Sequence, residues 1–275
     1  MSEERGAPSL AAKTGSVPSL ERGMAIMENL ARSKIGLTLS QVARSLHLPK
    51  SSAHSLLLTL QRLGYLYRNE ATHRYCCDLK LVRIANLVLR GFALRGNARP
   101  IICRLMEETK LTVHMAVRSD TEVVLVEKFA PYESPHLATW VGKRLDFHCT
   151  SLGKCLLAFL PGSEIDRIVR ERGLLRHNEN TIASMNRLRA ELAKVRHQGF
   201  AVDDEEEELG VRCVGAPVFD SEGEVVAAIS ISASTEQINR VSLPQLCSRV
   251  CEAAEALSRE MRRISVSPSN VSACP

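Results

Sequence analysis

The sequence predicts a two-domain α+β chain: a small helical head closed by a hairpin, a connecting helix, and a larger domain of hairpins and helices. Three observations predict it. Residues 36–77 carry two short apolar stripes at helical spacing around a proline break, then two alternating segments about a turn. Charge divides the chain: residues 1–95 hold 14 Lys+Arg against 6 Asp+Glu, and residues 96–275 hold 22 against 25. From Arg99 onward, two pairs of alternating segments are interleaved with helical stripes, the pattern of an α+β domain of about 165 residues.

In the head, Leu20, Met24, Met27 and Leu30 recur at helical spacing after Ser19, a potential cap. Thr38 with Gln41 three residues on is a capping-box start, followed by the stripe Val42, Ala43 and Leu46. The pattern breaks at His47-Leu48-Pro49, and Pro49 stands where a new helix would place its first residue. The next stripe is Ala53, Leu56, Leu57, Leu60 and Leu63, ended by Gly64. Its other face offers Lys50, Ser51, Ser52, His54, Ser55, Thr59 and Arg62, and no Asp or Glu occurs between Glu28 and Glu70. Hydroxyls and cations without carboxylates suit a helix lying in a major groove against phosphates and base edges. Residues 65–68 and 73–76 alternate around 69–72 as a hairpin carrying Arg68, His73 and Arg74, which makes the head a winged helix-turn-helix. Ser40, at the start of the first of the two helices, joins the set facing DNA. The alternative, a small helical bundle with a solvated basic face, lacks a reason for the missing carboxylates.

Leu79–Leu94 is apolar beyond one stripe and reads as a linker helix with a partner helix to cover it, hence a homodimer. Pro100 then opens a helix to Thr109, with Ile101, Ile102, Leu105 and Met106 inward. Segments 112–117 and 122–129 form one hairpin; 215–219 and 224–232 flank Asp220-Ser-Glu-Gly223 as another. Helices are expected at 152–160, at 164–172 ended by Gly173, at 184–198 ended by Gly199, and at 244–263. The resulting division is a disordered leader over 1–15, the winged head over 16–78, the linker helix over 79–95, the second domain over 96–264, and a Ser/Pro-rich disordered tail over 265–275.

No apolar run reaches the length of a membrane span, and no charged-then-apolar signal opens the chain, so a cytoplasmic protein is expected. The nine cysteines are scattered without C-x-x-C pairs, an inventory of small buried hydrophobes rather than a disulfide frame. His73 with Cys76 and Cys77 has poor spacing for zinc. No metal or cofactor is expected.

Taken together these motifs resemble the IclR family of bacterial transcription regulators over roughly residues 18–261. The stretch LTLSQVARSLHLPKSSAHSLLLTLQRLGYL is similar to the family's winged helix. GFAVDDEEEELGVRCVGAPVFD is similar to its signature, with Gly199, Asp203, Glu206, Cys213, Val214, Gly215, Val218, Phe219 and Asp220 at the matching places. The resemblance implies a GAF-like α/β effector domain, a homodimer or dimer of dimers, and binding to a double-stranded DNA operator modulated by a small organic acid. Repression is favoured over activation. It further implies effector contacts from the backbone amides of Ser151 and Leu152, an apolar wall at Leu145, polar positions at Asp203 and Cys213, and the serines Ser230 and Ser232. Alternate residues 230 and 232 share one strand face, and amides at a helix start suit a carboxylate. Three positions depart from the pattern: Ser55 where Arg usually follows His, Cys155 where Ala is common, and the bulky Phe147-His148-Cys149 before the loop. His148 is read as a hydrogen-bonded wall residue.

Two rival readings stand beside this one. Cys213 with His148, or Cys149 beside His148, could be sketched as nucleophile and base, and the acidic run 203–208 as a metal site, but no orienting third group or metal spacing accompanies them. The run is read instead as a mostly solvated turn. A regulator with a decayed sensor pocket is the other alternative, and the intact set at 203, 213, 230 and 232 argues against it.

Overall fold

The computed structural model describes residues 16–91, 93–132 and 137–266. The expected leader lies outside them, as do residues 267–275 of the expected tail. The chain divides into two compact units that meet at Gly91/Phe92.

In the first unit, α1 (Pro18–Ala31) is capped at Val17 rather than Ser19, with Pro18 in the first turn. It buries Gly23, Ile26 and Leu30, whereas Leu20 and Met24, expected inward, are exposed. The capping box at Thr38 and Gln41 starts α2 (Leu39–Ser45). His47 turns with φ 54°, and Pro49 is the cap of α3 (Lys50–Arg62) rather than its first residue. Ala53 and Leu57 are buried, but Leu63 is exposed because the helix has already ended there. Strands β1 (Leu66–Asn69) and β2 (Arg74–Cys77) pair one residue later than expected, since His73 adopts φ 53° and belongs to the turn. A bridge from Leu37 to Tyr75 adds a third edge to this wing. Ile26, Leu30, Val42, Leu57, Leu66 and Tyr75 form the core. The unit ends in α4 (Lys80–Gly91), on which Val82, Ile84, Leu87 and Val88 are exposed.

The second unit begins with α5 (Ala93–Thr109). Pro100 lies inside this helix rather than opening it. Ring and missing N–H would conflict with the carbonyl four residues earlier, which here belongs to Gly96. Strands β3 (Thr112–Ser119), β4 (Glu122–Phe129), β5 (Arg144–Leu145), β6 (Ala201–Asp204), β7 (Val211–Phe219) and β8 (Val225–Ser234) form one antiparallel sheet in the order β5-β4-β3-β8-β7-β6. Strands β5 and β6 are too short to show alternation and were not expected. Helices α6 (Ser151–Ala158), α7 (Gly162–Arg172) and α8 (Met185–Gln198) belong to the layer over one face; α5 and α9 (Leu243–Val266) pack on the other. The α6 face carries Ala228, Ser230 and Ser232 of β8, and the alternating Ile229 and Ile231 point to the opposite layer.

Two glycines are fixed by close approach. A Cβ on Gly153 would stand 2.6 Å from Asp146 O and from Phe147 Cα, so only glycine lets the 146–147 backbone cross α6. A Cβ on Gly215 would meet Ser151 backbone at 3.1 Å, which lets the start of α6 settle on the sheet. Both contacts determine where the amides of Ser151 and Leu152 point.

Candidate functional site

Sheet register assembles the polar wall of a cavity. Pairing places Asp203 beside Cys213, Cys213 beside Ser232, and Ser232 beside Thr112. Two residues along, and so on the same face, Gly215, Ser230, His114 and Lys128 form the next row. The start of α6 closes the cavity from above. Thr150 caps that helix, its hydroxyl accepting from Gly153 N at 3.0 Å and donating to Asp146 O at 2.7 Å. The amides of Ser151 and Leu152, lying in the first turn, have no preceding turn to bond to.

The cavity, its open mouth included, holds about 520 Å³ of empty space. All seven positions implied by the resemblance line it: Leu145, Ser151, Leu152, Asp203, Cys213, Ser230 and Ser232. Sequence reasoning missed His114, Thr139, Lys143, Thr150 and Glu207, which line it too. A lone histidine in the otherwise apolar run Thr112–Val117 was the available signal for the first.

Burial favours the neutral forms of His114 and Asp203 in this wall. His114 is 2% exposed, and burial with Lys128 and Lys143 nearby drops its pKa to about 3. The imidazole is therefore neutral, with Nε2 2.8 Å from Thr139 Oγ1 and Nδ1 3.3 Å from Ser232 Oγ. Asp203 is also 2% exposed, and burial pushes its carboxyl up to about 7 although Oδ1 accepts from Glu206 N at 2.8 Å. Burial and then Asp203 raise the Cys213 thiol, which bonds to Ser232 and Asp203. Lys128 Nζ donates to the carbonyls of Leu137 (3.3 Å) and Thr139 (2.8 Å), fixing the segment that brings Thr139 to His114. Lys143 pairs with Glu207 at 3.8 Å.

The acidic run is not the solvated turn that was expected. Asp203 and Glu206 are buried and Glu207 is half-buried. Lys154, fully buried on α6, is the reason: its Nζ pairs with Glu206, lies 3.4 Å from Glu191 and donates to Val202 O at 2.8 Å. A cation without solvent requires carboxylates close by, and the run supplies one. His148 lies outside this cavity and bonds through Nε2 to Leu175 O at 2.9 Å. Cys149 and Cys155 are buried and both thiols are pushed up by desolvation, which keeps them protonated and weakly nucleophilic. Cys155 belongs to the core under α6.

On the head, Ser40, Lys50, Ser51, His54, Ser55, Thr59, Arg62 and His73 are exposed, and Ser52, Arg68 and Arg74 are half-buried. Not all present free groups. Ser55 Oγ donates to Ser51 O (3.1 Å) and Thr59 Oγ1 to Ser55 O (2.9 Å), so these hydroxyl protons are held by the helix itself. Arg74 donates to Gly36 O (2.9 Å) and Gln41 Oε1 (3.4 Å), bracing the wing against α2. Arg68 stacks over Tyr75 and contacts His73 Nδ1 at 3.1 Å.

A winged helix-turn-helix whose two reading helices carry no carboxylate and a polar-lined cavity on one chain define a DNA-binding transcriptional regulator with a separate ligand-binding domain. The model of the family described as "Bacterial transcriptional regulator IclR C-terminal" matches residues 86–259, and that of the "IclR helix-turn-helix domain" matches residues 19–70. The chain belongs to the IclR family. It is 32% identical over 245 residues to the HTH-type transcriptional regulator XynR of Escherichia coli, covering 89% of this chain and 97% of that one. It is 31% identical to the transcriptional repressor IclR of Escherichia coli, covering 89% and 90%. Its structure is similar to that of the Thermotoga maritima IclR, with a TM-score of 0.76 at 30% identity over 89% of this chain and 98% of that one. These relatives are transcriptional regulators. No helix among the described residues is long and apolar enough to cross a membrane.

Proposed function

We propose that this regulator binds its operator through α3 and the wing and is switched by a small organic acid held in the cavity of the second unit. The convergence of Leu145, Ser151, Leu152, Asp203, Cys213, Ser230 and Ser232 on one cavity carries the reading. A carboxylate fits the first-turn amides of α6, with the positive end of the helix dipole behind it. Ser230 and Ser232 add hydroxyl donors, and neutral His114 adds a polar group without a charge to oppose the ligand. The protonated form of Asp203 is a further donor below its pKa of about 7.

On the head, Lys50 and Arg62 are exposed cations for phosphates, with Ser51, Ser52 and His54 near base edges. Arg74 positions the wing rather than supplying a main phosphate contact. Exposed Leu79, Val82, Leu87 and Val88 on and beside α4 support self-association as a dimer or dimer of dimers. Repression in the cytoplasm is the favoured mode, since relatives include a transcriptional repressor IclR and an acetate operon repressor. Catalysis finds no support in thiols held protonated.

The test is a thermal-shift screen of small mono- and dicarboxylates against the full chain. A binder should raise the midpoint of the second unit by mass action. The Ser230→Ala/Ser232→Ala double variant should lose that shift and keep its operator affinity. A double variant responding normally would put the ligand elsewhere.

A further inference from the structure

Behind the loop that leads into α6 lies a second group of side chains that the ligand cavity does not use. Asp146 and Cys149 stand three residues apart on that loop, and His177 comes from the segment between α7 and α8. One ligand atom from each, a carboxylate oxygen, the thiol sulfur and a ring nitrogen, lie within 4.8 Å of one another. Among the described residues this is the one such His/Cys/carboxylate trio, and none of the three lines the ligand cavity.

We propose that Asp146, Cys149 and His177 form a binding site for a zinc-class divalent cation. Ligand chemistry selects the class: a sulfur and an imidazole nitrogen exclude magnesium and calcium, which take oxygen, and suit zinc or cobalt. Bond lengths of about 2.0–2.3 Å put tetrahedral ligand atoms roughly 3.3–3.8 Å apart, so the trio closes by side-chain adjustment of about 1 Å. His177 Nε2 and Asp146 Oδ2 share a hydrogen bond of 3.0 Å. A cation seated off that line, about 2 Å from each atom, would take the place of the bridging proton. Cys149 is buried, and burial, with the Glu207 and Asp146 carboxylates adding to it, raises its thiol; a bound dication would favour the thiolate instead. Two anionic ligands, thiolate and carboxylate, would neutralise a dication. His177 and Asp146 keep 27% and 17% side-chain exposure, which leaves an entry path and room for a fourth ligand, water or the half-buried Glu207.

The site would fasten the loop at 146–149 to the segment carrying His177. Thr150, the cap of α6, bonds to Asp146 O, so the metal would sit one hydrogen bond from the amides of Ser151 and Leu152. The claim of metal binding stands independently of the proposed effector.

Metal-stripped full-length protein should be titrated with Co²⁺ and followed by absorption, then back-titrated with Zn²⁺. One equivalent of Co²⁺ should produce a thiolate-to-metal charge-transfer band with intense tetrahedral d–d bands, displaced by Zn²⁺ and not by Mg²⁺. Cys149→Ser should abolish the charge-transfer band. His177→Gln, at an exposed position that leaves the core intact, should weaken binding by at least the roughly 10–100-fold that removing even a ligand's hydrogen-bond partner costs. Cys103→Ser, on α5, should bind as the unaltered chain does. Absence of the charge-transfer band, its persistence in Cys149→Ser, or unchanged affinity in His177→Gln would overturn the assignment.

Discussion

Replacing Asp203 by Asn isolates what its burial costs. The folded carboxyl titrates at about 7 against an ordinary value of 3.8, because burial outweighs the amide of Glu206. Below pH 3.8 both states hold the proton and the group contributes nothing to the pH dependence. Between 3.8 and 7 the folded state keeps the proton that the unfolded chain has released, so stability falls as pH rises. Each pH unit in that window costs about 1.4 kcal/mol, which gives about 4 kcal/mol by pH 8. Asn keeps the shape and the acceptor for Glu206 N while removing the titration. Urea unfolding of the full chain, followed on the second unit's transition at pH 4, 6 and 8, reads the difference. Relative to the unaltered chain, Asp203→Asn should gain progressively from pH 4 to pH 8, approaching about 4 kcal/mol. Parallel stability curves for the two proteins across that range would refute the raised carboxyl and, with it, its role as a donor.

Lys154→Met should destabilise the second unit by about 3–5 kcal/mol in urea unfolding, because Glu206 is left buried without its cation; a cost under about 1 kcal/mol would show the pair to be dispensable. Lys50→Ala with Arg62→Ala should lower the salt slope of operator affinity by about 0.9 log unit for each phosphate no longer neutralised, read by anisotropy at several ionic strengths. Arg74→Ala should instead lower the head's thermal stability and change the slope little, since its guanidinium serves Gly36 and Gln41. Leu87→Glu with Val88→Glu should move sedimentation of the full chain toward monomer at micromolar concentration; an unchanged oligomer would clear α4 of the interface.

The head was legible because its signals are local. Thr38 and Gln41 cap each other across three residues, and the Ala53/Leu57 spacing needs no partner to be read. Its errors were also local: the positive φ at His73 moved the hairpin by one residue, and Val17 took the cap that Ser19 offered by residue type. The second unit was legible where strands were long, as at 112–119 and 122–129, and opaque at the short β5 and β6. Pro100 misled because its position inside a helix depends on what the chain does before it. The ligand cavity was legible only through resemblance to relatives, since Leu145, Ser151, Asp203 and Ser230 come from four separate elements. Pairing of β3 with β8 adds His114, and no local pattern encodes that pairing. The acidic run misled for the same reason: its partner Lys154 stands 52 residues from Glu206 in sequence.

The central claim is that the ligand cavity and the DNA-reading head are energetically coupled, and coupling of binding free energies is reciprocal. With a carboxylate identified by thermal shift, operator affinity should be measured by anisotropy with and without saturating carboxylate. Carboxylate affinity should be measured by calorimetry with and without saturating operator. The account predicts that both ratios depart from one by the same factor, and that Ser230→Ala/Ser232→Ala returns the operator ratio to one. A carboxylate that binds the cavity while leaving operator affinity unchanged, with its own affinity indifferent to DNA, would contradict it.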